Sequence, residues 1–144
     1  MEDKTKVPIL AKIASDFLKT RVVTPNLDVI IPVTPSFKVR KFQPVYEMAK
    51  EIGRLVNIKV DFDYLYKTGA TIELKDIASY DARVEILKEH LDIRDLRYEL
   101  KNVLVFDDLF RSGATMRVIT ELLYSKGKVD RVYVLTLTKT RVKK

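Results

Sequence analysis

Two adjacent acids and a loop of small residues stand out in the stretch VLVFDDLFRSGAT, residues 103–115. Apolar residues lead into Asp107 and Asp108, and the residues after the loop have the spacing of a helix. Ligands of parallel α/β sheets bind beyond the carboxyl ends of strands, so this acid pair is placed to contact one. Taken alone, the pair has a second interpretation: the two acids are ordinary solvated residues, which are common at strand ends.

The loop that follows the acids favours a phosphate ligand. Small residues at 112–115 let backbone N–H groups approach a ligand closely. The helix after the loop adds N–H groups without helical partners and the positive end of its dipole, which together favour phosphate. Ser112 and Thr115 add hydroxyl donors. Acids that can bind hydroxyls or a metal, beside a phosphate cradle, match the diol and the phosphate of a sugar phosphate.

At these residues the sequence resembles the phosphoribosyl pyrophosphate (PRPP) signature of type I phosphoribosyltransferases. That signature is a hydrophobic strand, two acids, two variable residues and a Thr/Ser-Gly-Ala/Gly-Thr loop. The resemblance implies that Asp107 and Asp108 are the catalytic acids that face the ribose hydroxyls. It also implies a 5′-phosphate site made of Arg111, Ser112, Gly113, Ala114 and Thr115. Arg111 replaces the small or hydroxyl residue often found there, and it either adds charge to the phosphate site or points to solvent.

A second stretch, IPVTPSFKVRKFQPVYEMAKEI, residues 31–52, resembles the ComF-like branch of that family. The match is partial, since Lys41 stands at the usual Gly and Gln43-Pro44 at the usual Asn-Gln. The resemblance implies that residues 34–38 meet pyrophosphate, and the candidate set for that group is Thr34, Pro35, Ser36, Lys38, Arg40 and Lys67. Because the chain has no cysteine, the zinc-binding N-terminus usual in ComF-type proteins and a role in DNA uptake do not carry over.

The segment KTGAT, residues 67–71, nearly repeats the loop RSGAT but lacks its context. Asp61 and Asp63 alternate along the predicted strand before it, and the residues after it alternate like a strand, so the helix dipole is missing. We therefore expect residues 67–79 to form a turn or a mobile flap. Lys67 ends the preceding strand, a position at which a basic residue of the family often meets pyrophosphate. The alternative is that Lys67 is an ordinary exposed lysine.

Helical and strand patterns alternate along the chain. The first helix is predicted from Ile9, Ile13 and Phe17, which have helical spacing after a proline suited to a first turn. Alternation of this kind indicates an α/β fold with a mainly parallel twisted sheet, helices on both faces and a small hood or flap. The length of 144 residues suits a single phosphoribosyltransferase-like domain over 1–144, with a core at about 27–139. Helices are predicted at 8–20, 43–56, 80–91 and 114–127, and strands at 27–33, 60–67, 102–106 and 130–139.

Composition limits the classes of function. A net charge of +7 favours polyanionic partners, and the absence of cysteine excludes disulfides, thiol catalysis and Cys-ligated zinc. No apolar run is long enough to span a membrane and the start lacks the pattern of a secretory signal, so we expect a cytoplasmic protein without membrane partners. The single histidine, His90, lies among charges on a predicted helix, so a histidine triad or zinc site is not expected.

The residues and the resemblance together predict a phosphoribosyltransferase that transfers phosphoribose from PRPP to a nitrogenous acceptor, a nucleobase or an amine, and releases pyrophosphate. Mg²⁺ is expected to be held mainly by substrate oxygens, with no metal site formed by the protein alone. The alternative is a non-catalytic PRPP-sensing regulatory or nucleic-acid-binding protein on the same fold. The positive charge favours that alternative slightly, but no helix-turn-helix or RNA-binding signature supports it. A homodimer and the identity of the acceptor are left open.

Overall fold

The computed structural model describes residues 6–33, 44–68, 79–110 and 113–139. None of the helices in these ranges is long and apolar enough to cross a membrane. The helices are α1 (Val7–Lys19), α2 (Pro44–Val56), α3 (Tyr80–His90) and α4 (Ala114–Ser125), and a short 3-10 helix spans Thr24–Asn26. The strands are β1 (Val29–Pro32), β2 (Leu65–Lys67), β3 (Leu91–Ile93), β4 (Asn102–Phe110) and β5 (Arg131–Lys139).

A parallel sheet in the order β1-β4-β5 lies at the centre of the fold. β4 is its central strand, with Val103 aligned to Val29 of β1 and to Val132 of β5. β2 and β3 form a separate antiparallel pair. Parallel neighbours need long crossover connections, and here these connections contain helices, so the predicted α/β fold is confirmed. The antiparallel pair was not predicted.

Alternation of side chains along the central strands gives the sheet two apolar faces. One face packs against α1 and α2, and the other packs against α3, α4 and the β2–β3 pair. Burial of each large apolar side chain contributes about 1.5–3 kcal/mol. These two cores therefore stabilise the sheet, which positions the residues at the ends of its strands. The first face presents Ile30, Leu104 and Phe106, and the second presents Val29, Ile31, Val103 and Val105.

α1 is confirmed as a helix, but the residues that predicted it are not the ones that pack. Its buried side is made of the small residues Ala11, Ala14 and Ser15, together with Leu18. Small side chains let the backbone of α1 lie close to its neighbour α2. The Oγ of Ser15 donates a hydrogen bond of 2.7 Å to the carbonyl of Ala11, so the buried hydroxyl is satisfied within the helix. The stripe of Ile9, Ile13 and Phe17 faces away from this packing and is exposed.

The predicted strand at 60–67 is wrong over its first half. Val60 forms one parallel bridge to β1, and the chain then turns before β2 begins. The Oδ1 of Asp61 accepts hydrogen bonds from the backbone N–H groups of Asp63 (2.8 Å) and Tyr64 (3.0 Å). An aspartate that bonds to the backbone two residues ahead stabilises a turn in competition with a strand. The alternation of apolar and acidic residues after Val60 therefore belongs to a turn. This turn lies between the bridge of Val60 to β1 and the pairing of β2 with β3.

Candidate functional site

Asp107 and Asp108 lie in the last part of β4, the central strand. The strand continues to Phe110, so the acids lie within it and not beyond its end as predicted. Neighbouring residues of a strand point to opposite faces, which places Asp107 on the α3–α4 face and Asp108 on the α1–α2 face. Both acids are half-buried, and the backbone N–H of Asp108 donates a hydrogen bond of 2.8 Å to the Oδ1 of Asp107. The sheet thus presents one carboxylate toward each layer of helices.

Gly113 begins α4 in a conformation that side chains disfavour. Its φ of 81° lies in the left-handed region, which glycine adopts more readily than other residues do. The Gly113 carbonyl accepts the first helical hydrogen bond, from the N–H of Arg117 at 2.9 Å. A helix N-terminus offers N–H groups and the positive end of a dipole, and a glycine there leaves room for a ligand to approach them. Ala114 is buried and Thr115 half-buried just behind this turn.

Lys67, at the end of β2, is electrostatically coupled to Asp107. The chain directly after Lys67 is held by Thr68, whose N–H and Oγ1 donate hydrogen bonds to the carbonyls of His90 (2.7 Å) and Glu89 (3.1 Å). Burial lowers the pKa of Lys67 to about 8, and the Asp107 carboxylate offsets part of that shift because it stabilises the ammonium. Lys67 is half-buried, so its interpretation as an ordinary exposed lysine is wrong.

The remaining predicted site residues lie outside the described parts of the chain. The predicted flap at 67–79 also falls outside them over residues 69–78. The undescribed candidates are Arg111 and Ser112 of the phosphate loop and Thr34, Pro35, Ser36, Lys38 and Arg40 of the pyrophosphate set.

Among the residues that the structure describes, no three His, Cys, Asp or Glu side chains are grouped closely enough to hold a metal ion. Asp107 and Asp108 nevertheless supply carboxylate oxygens, which are the ligands that Mg²⁺ prefers. The chemistry of this donor pair fits an ion that is bound largely through the oxygens of a phosphorylated substrate.

A second charged cluster, which the sequence did not indicate, joins the turn at Asp61 to the loop before β4. The Oδ2 of Asp61 accepts hydrogen bonds from the Tyr98 hydroxyl (2.5 Å) and from Nη1 of Arg97 (3.2 Å). Arg97 also pairs with Asp95 at 2.8 Å and with Asp63 at 3.5 Å. Burial alone would raise the pKa of Asp61, but these hydrogen bonds and those from the backbone lower it. The residues involved are far apart in sequence, so no local pattern could have revealed the cluster.

Comparison with known proteins gives a partial likeness in sequence. No family model matches the chain. A stretch of 72 residues is 38% identical to the hypoxanthine-guanine phosphoribosyltransferase of Staphylococcus aureus. That stretch makes up 49% of this chain but only 40% of the relative, so the chain matches less than half of the relative's length.

Solved structures show the likeness in fold over nearly the whole chain. Adenine phosphoribosyltransferase from Leishmania donovani superposes with a TM-score of 0.60 at 12% identity, over 95% of this chain and 54% of that one. A hypothetical protein from Neisseria gonorrhoeae with bound ppGpp superposes with a TM-score of 0.59 at 19% identity, over 99% of this chain and 72% of that one. At such identities the likeness is one of fold.

The likeness in fold and the likeness in sequence point to the same class of protein. The chain has the fold of phosphoribosyltransferases, and about half of it is similar in sequence to hypoxanthine-guanine phosphoribosyltransferases. The placement in the ComF-like branch stays a prediction.

Proposed function

We propose that this chain is a phosphoribosyltransferase that binds PRPP with Mg²⁺, transfers phosphoribose to a nitrogenous acceptor and releases pyrophosphate. The observation that supports this proposal best is that β4, the central strand that carries Asp107 and Asp108, is followed by the left-handed Gly113 at the start of α4. A cation that interacts with Asp107, the pair of carboxylates and a helix N-terminus are thereby offered around the end of the central strand. These three groups suit the pyrophosphate, the ribose hydroxyls and the 5′-phosphate of PRPP, in that order.

Each group has a distinct part in the proposed reaction. Positive charge builds on the ribose ring as pyrophosphate leaves, so the Asp107 and Asp108 carboxylates stabilise the ring while they hold its hydroxyls. The Lys67 ammonium pairs with the departing pyrophosphate. The loop at 111–115 and the start of α4 hold the 5′-phosphate and so fix the position of C1 for attack. Mg²⁺ bound to PRPP would neutralise part of the pyrophosphate charge.

The acceptor in this proposal is a purine base. The support is the 38% identity over 72 residues to an enzyme named for hypoxanthine and guanine. Because the chain matches only 40% of that relative, the parts that select the base need not be shared. Hypoxanthine and guanine are therefore the first acceptors to test, followed by adenine and the pyrimidines.

The test is the release of pyrophosphate from PRPP and Mg²⁺ in the presence of each base in turn. We expect release with at least one purine, and loss of release in the double variant Asp107→Asn/Asp108→Asn. Asp130→Asn is the matched control, because Asp130 is an exposed acid just before β5 and outside the proposed site. If no base tested supports the release of pyrophosphate, the proposed transfer reaction is contradicted.

The two forms of the non-catalytic alternative predict different results from the transfer reaction and from each other. A PRPP-sensing protein would bind PRPP through the same acids but release no pyrophosphate with any base. A nucleic-acid-binding protein would bind DNA or RNA with an affinity that falls steeply with salt, and PRPP would leave that affinity unchanged. Calorimetry with PRPP and a salt series with DNA and RNA distinguish these outcomes.

A further inference from the structure

On the α3–α4 face of the sheet, β4 and β5 change from apolar to polar side chains at the same level. Three successive pairs of neighbours in register lie on this face, and they are Val103 and Val132, Val105 and Val134, and Asp107 and Thr136. Valine and threonine are both β-branched and differ chiefly in the hydroxyl, so a threonine in this row adds a polar group at little change in shape. β5 therefore carries a hydroxyl at the level where β4 carries the Asp107 carboxylate.

Thr136 is the neighbour of Asp107 on the β5 side of the central strand. Adjacent strands lie about 4.8 Å apart, and residues in register on parallel strands point to the same face, so the two side chains lie side by side. On the other side, β1 ends at Pro32 opposite Phe106, and the residue that follows it, Val33, is buried and apolar. Of the two strand neighbours of Asp107, Thr136 is thus the one whose side chain can form a hydrogen bond.

The hydroxyl of Thr136 takes no part in holding the described fold together. Its side chain is half-buried, and none of the residues that the structure describes is hydrogen-bonded to its hydroxyl. Hydroxyls elsewhere in the chain do bond to the backbone, as Ser15 does to the carbonyl of Ala11 (2.7 Å) and Thr68 to that of Glu89 (3.1 Å). Polar groups that are partly withdrawn from water gain when a partner satisfies them, so a ligand beside Asp107 can use this hydroxyl.

We propose that Thr136 is a further substrate-binding residue, whose hydroxyl donates a hydrogen bond to the ribose hydroxyl that Asp107 holds. This inference rests on the proposed function, since it takes the sugar phosphate as the ligand. A hydroxyl donates one hydrogen bond and accepts others, whereas an ionised carboxylate accepts but never donates. Asp107 can therefore bind the proton of a ribose hydroxyl but cannot supply a donor to its oxygen. Thr136 supplies that donor, and the pair together selects a sugar that carries the hydroxyl over one that lacks it.

Calorimetric titration with ribose 5-phosphate tests this role. Thr136→Val removes the hydroxyl and keeps the branched shape, and it should weaken binding about three- to tenfold, the value of one hydrogen bond. Thr136→Ser keeps the hydroxyl and should bind within about twofold of the unaltered chain. Thr120→Val is the matched control, because Thr120 is also half-buried but lies in the middle of α4, and it should leave the affinity unchanged. Circular dichroism establishes that all three variants stay folded.

Titration with 2-deoxyribose 5-phosphate and 3-deoxyribose 5-phosphate separates a direct contact from a structural effect. One of these two sugars lacks the bonded hydroxyl, and Thr136→Val should bind that sugar as tightly as the unaltered chain does, since the hydrogen bond is already absent.

The possible results separate this inference from the proposed function. If Thr136→Val binds ribose 5-phosphate normally, or loses affinity equally for all three sugar phosphates, the role of Thr136 is overturned while the proposed function stands. If the unaltered chain binds neither ribose 5-phosphate nor PRPP, both are overturned.

Discussion

Two groups of charged residues in this chain differ in how the protein satisfies them. Around Asp61, hydrogen bonds from Tyr98, Arg97 and the backbone satisfy the carboxylate and keep its pKa below the usual range. At the end of β2, burial lowers the pKa of Lys67 to about 8, and the carboxylate of Asp107 on β4 offsets only part of the shift. The first group is stabilised by its own members, whereas in the second burial disfavours the charge of Lys67.

We therefore assign the first group to the maintenance of the fold and the second to the proposed site. A network whose acceptors all find donors within the protein ties two loops together and gains little from a ligand. A partly buried lysine with a lowered pKa, close to an acid on the strand that leads to a left-handed glycine, is typical of functional sites. Substitutions in the two groups should therefore change different quantities.

The largest expected effect is on binding and comes from Gly113. Gly113→Val should weaken PRPP binding at least about a hundredfold, because a branched side chain obstructs the ligand's approach and disfavours the φ of 81°. The left-handed conformation should also cost about 1–2 kcal/mol of stability. Calorimetry measures the first quantity and urea unfolding the second.

Lys128 provides the matched control for Gly113→Val. Its φ of 56° is also left-handed, but it lies in the loop before β5, away from the proposed site. Lys128→Val should lower stability by less than Gly113→Val does, because Lys128 already bears the cost of a side chain at positive φ, and it should leave PRPP binding unchanged. Equal losses of binding in both variants would show that Gly113 acts through general stability alone.

The next effect is on stability and comes from Asp61. Asp61→Ala should lower the free energy of unfolding by about 2–3 kcal/mol, because it removes the acceptor of the Tyr98 hydroxyl and of two backbone N–H groups, and one of the acceptors of Arg97. PRPP affinity should stay within about twofold of the unaltered chain, since the cluster lies outside the proposed site. Asp130→Ala, at an exposed acid, should change stability by less than about 0.5 kcal/mol. Lost affinity at unchanged stability would reverse the roles assigned to the two groups.

The smallest effect is a pH dependence from Lys67. Pyrophosphate binds the ammonium form, and the pKa of about 8 means that this form is depleted above that pH. PRPP affinity should therefore fall up to about tenfold between pH 7 and pH 9. Lys67→Arg stays charged over this range and should bind PRPP with a flatter pH profile. Identical profiles for the two proteins would show that Lys67 does not meet the pyrophosphate.

The parallel sheet and its helices could be predicted because their patterns are local. Continuous apolar runs identify buried strands such as β1 and β4, and a helix such as α4 is indicated by its apolar spacing. The run of small residues between a predicted strand and a predicted helix was also visible in the sequence. These features depend on residues that are close together in the sequence.

What could not be predicted depends on contacts between distant segments. The pairing of β4 with β5 extends through Leu109 and Phe110, so the strand runs past the acids that were expected to follow it. β3 has three residues, too few for a periodic signal, and exists because β2 pairs with it. α1 is apolar on both sides, so its spacing alone did not show which face packs. The coupling of Lys67 to Asp107 likewise depends on tertiary contacts between β2 and the sheet.

The most direct test of the account is calorimetric titration of PRPP with Mg²⁺ into Asp107→Asn/Asp108→Asn, beside the unaltered chain and Asp61→Asn. We predict one binding site per unaltered chain and a loss of at least about 1.4 kcal/mol, or tenfold in affinity, in the double variant. Asp61→Asn should bind PRPP normally while it melts at a lower temperature. A double variant that binds PRPP normally and is less stable than the unaltered chain would show that the acid pair is structural, and would contradict the assignment of the site.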